Sequence, residues 1–478
     1  MRSRIHHAAG RHARGRLTGR PASRRAFTLL TLGAAAAAVA AAVAGAGAMP
    51  AVSLRAANTA AAAAAGAPLD KVLSRPGGLY DSVTGMAFTP RGTNFVRLAK
   101  APDGSVYHSA FEPGQYSQAF VQATLDNMKS SSGYNTVRVF IDPGEFTSPS
   151  HGISTSVSST TPVNAAYIAN VADLIRRAAA DGIYTIPVLS DIPANTYYYN
   201  IAGNPAGNIQ GNNVVYLDPR YVAAKEEYLR QFVTALAGLL GSQAADSDVL
   251  AYESDNEVFF DASQPPFSTM SGKLTSLDGL TYDMSQPAQR QQAADANLVA
   301  YSIDMKHALV QADPGALLMM GFFTNKAVGK PGFNGFTTFC SANCKPGTDY
   351  RVPGRAASVS IYGAADILDI HVYPTSSSYS LTTDLNSIEY GRFTKPYIIG
   401  EFGAIKSVYG GNIVTAASAM KNLQVASCTL HAKGWLFWTW DTDTTTSLAS
   451  QSLYYSLADS RGAINGLLAP AARANPCS

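Results

Sequence analysis

The sequence predicts an α/β protein folded as a (β/α)8 TIM barrel with long loops on its C-terminal face. Three observations lead there. Eight apolar runs of strand length recur between residues 93 and 440. Helical patterns alternate with them, which implies a parallel sheet, and eight such units suggest closure. The surplus length lies in segments that come after strands, on the face where such barrels place their working residues.

Residues 1–68 stand apart from this pattern. "SRRAFTLLTLG" (23–33) sets two arginines before an Ala-rich apolar run that reaches about Gly47. The stretch resembles a twin-arginine export signal followed by an Ala-rich linker. "AGAGAMPA" and "AANTAAAAAAGA" both offer small-residue cleavage sites. The barrel is expected to fill residues 69–478 with a C-terminal extension.

The predicted strands are "TNFVRLA" (93–99), "TVRVFID" (136–142), "YTIPVLSD" (184–191), "VLAYES" (249–254), "LLMMGFF" (317–323), "ILDIHVY" (367–373), "YIIGE" (397–401) and "GWLFWTW" (434–440). Residues 165–182 carry apolar positions at helical spacing and stop at Gly182. Residues 218–241 begin with Asp218 as N-cap and Pro219 at the first helical position. Residues 293–315 end at Asp-Pro-Gly. The loops 143–163, 192–215, 258–290 and 324–360 are rich in Gly, Asn, Ser, Thr and aromatic residues. A doubly wound open sheet would show a Gly-rich phosphate loop after its first strand, and none is present.

Charged residues are 14% and hydrophobic residues 46% of the 478-residue chain, a balance that favours a packed body over disorder. The net charge of +3 is set by the N-terminus: residues 1–69 hold nine Arg and no Lys, Asp or Glu, so the remainder carries −6. A nucleic-acid surface is not favoured, and no later stretch is long and apolar enough to span a membrane. Cys340, Cys344, Cys428 and Cys477 allow three pairings. Cys340–Cys344 closing "CSANC" with Cys428–Cys477 is the preferred set; a zinc site lacks a second close Cys or His pair. His is scarce, with no His-x-His or His-Glu-x-x-His, so neither metal nor other cofactor is implied.

The fourth and seventh strands end on carboxylates. Asn256 and Glu257 come directly after "AYESD", and Glu401 ends "YIIGE". Both glutamates fall on one face of a barrel, although 144 residues separate them. Two carboxylates flanking one bond, one protonated and one ionised, is what glycoside hydrolysis needs. Glu253 and Asp255 are further acids nearby, expected to support or to be solvated.

Here the motifs acquire a family resemblance. "SDNE" and "IIGEFG" resemble the acid/base and nucleophile motifs of the large clan A of retaining (β/α)8 glycoside hydrolases, and within it the cellulase-like glycoside hydrolase family 5. "RGTNFVRL" (91–98) resembles the first-strand motif, with Asn94 reaching toward the site. "NTVRVF" resembles the second-strand motif, whose Arg138 would support the nucleophile. "DIHVYP" (369–374) supplies His371 and Tyr373. "GWLFWTWDTD" (434–443) resembles the eighth strand, with Trp438 or Trp440 flooring a sugar subsite, Trp438 preferred. The resemblance spans roughly residues 80–470. It departs at strand three, where "VLSDIPANTYYYN" gives Asp191 and three tyrosines where many cellulases carry His; "TYYYN" (196–200) reads as a loop wall that stacks on sugars or simply as packing.

The resemblance implies a secreted enzyme that cleaves β-glycosidic bonds in a poly- or oligosaccharide by double displacement. Glu257 and Glu401 would be catalytic, and Asn94, Arg138, Asp191, Asn256, His371, Tyr373, Trp438 and Trp440 would bind substrate. An envelope-glycan transglycosidase and a non-catalytic carbohydrate-binding barrel are the alternatives. A monomer that binds carbohydrate, not nucleic acid, and does not insert stably in a membrane is expected, extracellular or periplasmic. N-terminal sequencing of the secreted protein is expected to start near residue 68, and replacing Arg24 and Arg25 together by Lys is expected to block secretion. A mature chain beginning at Met1 would contradict the export reading.

Overall fold

The computed structural model of the chain describes residues 67–478 except 102–103, 105, 145–150, 331, 333–348, 442–452, 459 and 461. Eight parallel strands close a barrel in sequence order: β1 (Arg91–Phe95), β2 (Thr136–Phe140), β3 (Tyr184–Val188), β4 (Tyr252–Glu253), β5 (Leu318–Phe323), β6 (Ile367–Val372), β7 (Tyr397–Phe402) and β8 (Trp435–Phe437). Every residue of these strands is buried. That is why they read as apolar runs without alternation.

All eight expected strands exist. The first is shifted: β1 starts at Arg91, and Leu98–Lys100 instead pairs antiparallel with Val106–His108 outside the barrel. Gly92 explains the early start. A Cβ there would lie 1.6 Å from the Thr136 carbonyl oxygen. Only glycine lets β1 approach β2 so closely.

The helices after the strands are α1 (Gln118–Asp126), α2 (Ala165–Ala180), α3 (Pro219–Leu240), α4 (Pro287–Ala312), α5 (Ala356–Tyr362), α6 (Leu381–Asn386), α7 (Ile413–Thr429) and α8 (Asn465–Leu468). α2 ends two residues before Gly182, whose φ of +70° suits a residue just past a helix. α3 begins as expected, with the Asp218 side chain accepting from the Arg220 N–H. α4 starts at Pro287, six residues before the expected start, because its polar first turn hides the helical period.

Two features were not expected from the sequence. A three-stranded antiparallel sheet, Val72–Arg75, Gly78–Asp81 and Ala87–Phe88, precedes the barrel. Its Val72, Leu79 and Phe88 pack with Tyr184, Ile186, Leu250, Ile367, Ile398 and Leu436, so they plug the N-terminal end. The long C-terminal loops are also folded. Phe259–Asp261 pairs with Arg351–Pro353 across two loops, and Lys273–Thr275 pairs with Thr281–Asp283. "TYYYN" is helical from Thr196 to Ala202, with Tyr198 fully buried, so it is not simply a loop wall.

Cys428 in α7 is bonded to Cys477, as preferred. On the chain-entropy account a loop of this length contributes about 4 kcal/mol. Cys340 and Cys344 lie outside the described residues. Arg91 donates to the carbonyls of Leu468, Arg473 and Ala474, which ties the C-terminal segment to β1. Among the described residues no helix is long and apolar enough to cross a membrane.

Gly92→Ala is expected to lower unfolding free energy by roughly 1–3 kcal/mol in urea titrations. Gly466→Ala, with nothing within 4 Å of the added carbon, serves as the control and is expected to stay near wild type. Equal stability of the two variants would contradict the close β1–β2 approach.

Candidate active site

The C-terminal ends of β1, β2, β4, β6 and β7 converge on Arg138. The β1–β2 ladder sets it opposite Asn94, and it is fully buried. Each of the five guanidinium N–H donors finds an acceptor. Nε and Nη2 donate to the two oxygens of Glu253 at 2.6 and 2.7 Å. Nη1 donates to Glu401 Oε1 at 2.7 Å and to Asn94 Oδ1 at 2.9 Å. Nη2 also donates to Asn256 Oδ1 at 2.7 Å. Asp369 Oδ2 lies 3.3 Å from Nε. Burial works against this charge, but Glu253, Glu401 and Asp369 outweigh it and raise the guanidinium pKa.

β6 contributes Asp369 and His371, two residues apart and therefore on one strand face. The β6–β7 ladder sets His371 opposite Glu401. The imidazole lies among three carboxylates. Nδ1 is 3.1 Å from Glu257 Oε1 and 3.5 Å from Glu401 Oε2, and Nε2 is 3.4 Å from Asp369 Oδ2. Burial lowers its pKa, but the charges of Glu401 and Asp369 prevail and hold it well above the ordinary histidine value. That direction favours the protonated ring, and each of its nitrogens has a carboxylate oxygen within reach.

Glu401 takes its second hydrogen bond from the Tyr373 hydroxyl, 2.7 Å from Oε2. Burial is the largest influence on this carboxyl and raises its pKa. His371 and Arg138 pull it down, Glu257 pushes it up and Tyr373 pulls it down; the net position is above the usual value. Burial likewise raises Glu253, against the pull of Arg138. One oxygen of Glu257 and one of Glu401 lie within 4.8 Å of each other, with a His371 nitrogen within the same distance of both. Glu257 and Asn256 are half-buried, whereas Arg138, Glu253 and Asp369 beneath them are closed off from solvent.

Close backbone approach makes this convergence possible. A Cβ at Gly400 would sit 2.0 Å from the Asp369 carboxylate oxygens; instead the Gly400 N–H donates to Asp369 Oδ1 at 2.6 Å. A Cβ at Gly321 would lie 1.9 Å from the Asn256 carbonyl oxygen.

The aromatic wall beside the carboxylates contains Trp438, whose ring meets Phe140 edge-on at 5.8 Å, and Tyr454, which meets Tyr373 at 5.5 Å. The Arg138 guanidinium lies 4.8 Å over the Phe140 ring.

Seven of the ten expected site residues thus meet: Glu257, Glu401, Arg138, Asn256, His371, Tyr373 and Trp438. Three are placed otherwise. Asn94 is fully buried beneath the cleft. Its Oδ1 accepts from Arg138 and its Nδ2 donates to the Gly400 carbonyl at 2.8 Å, so it supports Arg138 and does not reach toward substrate. Trp440 belongs to the core between barrel and helices, because β8 ends at Phe437 and strand alternation does not carry from Trp438 to Trp440. Asp191 is half-buried three residues past β3, where its charge is felt by Tyr199, Tyr216 and Lys225.

Asp369 and Tyr454 were not expected to belong, and Glu253 takes the supporting one of the two places expected for it. Period-two spacing from His371 could have found Asp369. Glu253 looked like one more acid near Glu257, and nothing local marks it as the partner of Arg138. Glu257, His371 and Glu401, or Glu253, Asp369 and His371, each present ligand atoms within 4.8 Å. Arg138 lies against one carboxylate of each set, Glu253 in one and Glu401 in the other, and its charge competes with that of a metal ion.

No protein-family model matches the chain, and no curated protein matches it. Among solved structures, the endo-1,4-β-mannanase from Rhizomucor miehei aligns with a TM-score of 0.52 at 14% identity, over 85% of this chain and 100% of its own. The exo-β-1,4-mannosidase from Opitutaceae bacterium strain TAV5 aligns at 0.49 and 16% identity, over 84% of this chain and 61% of its own, so this chain spans less than two thirds of it. The β-mannanase from the blue mussel Mytilus edulis aligns at 0.47 and 16% identity, over 83% of this chain and 96% of its own. At such identities what is shared is the fold, and the likeness to the Rhizomucor enzyme agrees with the closed (β/α)8 barrel described above.

Proposed function

We propose that the protein is a retaining glycoside hydrolase of the cellulase and mannanase type, with Glu401 as nucleophile and Glu257 as general acid/base. The observation that carries this reading is the facing of Glu257 and Glu401, one oxygen of each within 4.8 Å, at the open end of a (β/α)8 barrel. Retaining pairs stand about 5–5.5 Å apart, whereas an inverting pair at about 6.5–9.5 Å leaves room for a water.

The two carboxylates have unlike surroundings, which is what separates their roles. Glu401 is held by Arg138, Tyr373 and His371, all of which favour its ionised form. Four carboxyls, those of Glu253, Glu257, Asp369 and Glu401, face two cations, Arg138 and His371. Burial raises the carboxyls of Glu253 and Glu401 against the pull of Arg138 and His371, and Glu257, at the cleft beside His371, is the carboxyl placed to deliver a proton to the leaving oxygen.

In the first step Glu401 attacks the anomeric carbon, the bond to the leaving oxygen breaks, and that oxygen takes the Glu257 proton. A glycosyl ester on Glu401 results. In the second step Glu257, now a carboxylate, takes a proton from water as its oxygen attacks the same carbon, and Glu401 leaves. The Asn256 amide nitrogen has no protein partner among the described residues while its oxygen is fixed by Arg138, so it is turned to donate to the sugar. Trp438 and Tyr454 supply the aromatic surface for a pyranose face. The mannan-directed names of the aligned structures make β-mannan the first polysaccharide to test, within a panel of β-glucans and xylan. The proposed mature chain begins near residue 69, where the Leu69 N–H donates to Asp248 Oδ1.

Glu401→Ala is expected to abolish turnover, and azide is expected to restore product of inverted configuration. Glu257→Ala is expected to lose roughly 10²–10⁴-fold on poor leaving groups, to spare the first step on good ones, and to be rescued by azide with retention. Full activity of Glu401→Gln on a substrate the wild type cleaves would remove the assignment. The pH profile of kcat/KM should fall on its acid side as Glu401 takes a proton. Tyr373 favours the ionised form, so Tyr373→Phe is expected to move this limb to higher pH by roughly one unit. An unmoved limb would separate Tyr373 from Glu401 ionisation.

A further inference from the structure

On the side of β3 and β4 facing away from the cleft, a second set of buried polar groups surrounds the segment that carries Asn256 and Glu257. Lys225 of α3 is fully buried, and its ammonium donates to the carbonyls of Leu189 and Ser190, just past β3. Ser190 Oγ in turn accepts from the Asn256 N–H at 3.2 Å, and the Leu189 N–H donates to the Glu253 carbonyl at 2.8 Å. Asp255 turns its carboxylate into the helix layer. There it accepts from the Tyr301 hydroxyl of α4 at 2.9 Å and from the Tyr216 hydroxyl at 3.3 Å. The two rings meet edge-on at 5.1 Å. The Asp255 carbonyl accepts from the Gly321 N–H of β5 at 2.8 Å.

This arrangement is costly if its only task is to join helices to barrel. Burial drives Lys225 toward its neutral amine and Asp255 toward its neutral acid, so keeping polar groups here has a cost that apolar side chains packing the same layer would avoid. What these groups provide is direction. The Ser190, Leu189, Tyr301, Tyr216 and Gly321 bonds all end on the backbone of residues 253–256, or on the side chain of Asp255 between them, and Lys225 holds the first two of these groups in place. β4 itself has only two residues, Tyr252 and Glu253, and beyond it β5 reaches the segment through the Ser254 N–H to Met319 carbonyl bond at 3.0 Å and the Gly321–Asp255 bond, neither of which holds Asn256 or Glu257.

We propose that Lys225 and Asp255 are positioning residues for the general acid, a clamp from outside the barrel that fixes residues 254–257 so that the Glu257 carboxyl meets the leaving oxygen. The proposal rests on the glycosidase reading above. A displacement of about 1 Å can cost on the order of 10²-fold in rate. A displaced acid matters only when the leaving group needs a proton. The clamp therefore acts on one class of substrate, whereas a general loss of packing acts on all.

The test uses the full chain and aryl β-glycosides of the sugar that the wild type cleaves, β-mannosides and β-glucosides first. Asp255→Asn and Lys225→Met are assayed on the phenyl and the 2,4-dinitrophenyl glycoside. The expected kcat/KM falls roughly 10- to 100-fold on phenyl and stays within about threefold of wild type on dinitrophenyl. Equal losses on both substrates, or no loss on either, would overturn the proposal. Should either variant fail to fold by circular dichroism, Tyr301→Phe keeps the ring and removes one bond to Asp255. It is expected to show the same selectivity at smaller size, and equal losses there overturn the proposal too. Glu401→Ala separates the two ideas. If it is inactive while the clamp variants match wild type, the clamp alone fails; if it is active, the glycosidase reading fails and the clamp with it.

Discussion

A guanidinium sealed inside the barrel is the constraint on which the rest of the site depends. Hydration of such an ion is worth several kcal/mol, and none of it is available to Arg138. The chain must supply five acceptors in the plane of the fork, and it draws them from β1, the β4 end and β7. A lysine could not replace it, because a single ammonium cannot hold Glu253 in two parallel bonds while reaching Glu401 and Asn256. Removing any one partner would leave an ion half satisfied. The positions of Glu253, Asn256 and Glu401 are therefore consequences of one residue in β2.

The same charge organises the acid–base chemistry. Burial pushes the carboxyls of Glu253 and Glu401 toward their neutral forms, while Arg138 and His371 pull them toward the ionised form. Glu401 is touched by both cations and a phenol. Glu257 sits at the rim, half-buried, with the imidazolium beside it. Glu401 is thus bound on the floor side and Glu257 lies on the solvent side, an arrangement that suits the two roles proposed for them.

The sequence showed the frame because both-face burial leaves a signature that does not depend on neighbours: an uninterrupted apolar run. Glu257 and Glu401 were legible because each breaks such a run at its end. His371 and Tyr373 were legible by motif and by period. The failures share a cause. Asn94 and Trp440 lie close in sequence to cleft residues, but whether a side chain crosses the strand into the cleft or the core depends on where the strand stops, which register decides. Asp191 looked like a strand end, but β3 stops at Val188 and Asp191 lies three residues beyond it. Glu253 and Asp369 could not be weighed without Arg138 between them, since a buried acid has meaning only with its partner. The sheet at residues 72–88 was missed because its strands of two to four residues are too short for a period to show.

That sheet and the Arg91 bonds have a bearing on how the chain assembles. The sheet completes its packing on Ile367, Ile398 and Leu436, and β1 is tied to Leu468 and Ala474. Contacts that join distant parts of a chain raise contact order and slow folding. During synthesis the early strands must wait, with apolar faces exposed, for the last tenth of the polypeptide to emerge. Incompletely folded chains that expose apolar surface in this way are the species most prone to aggregate.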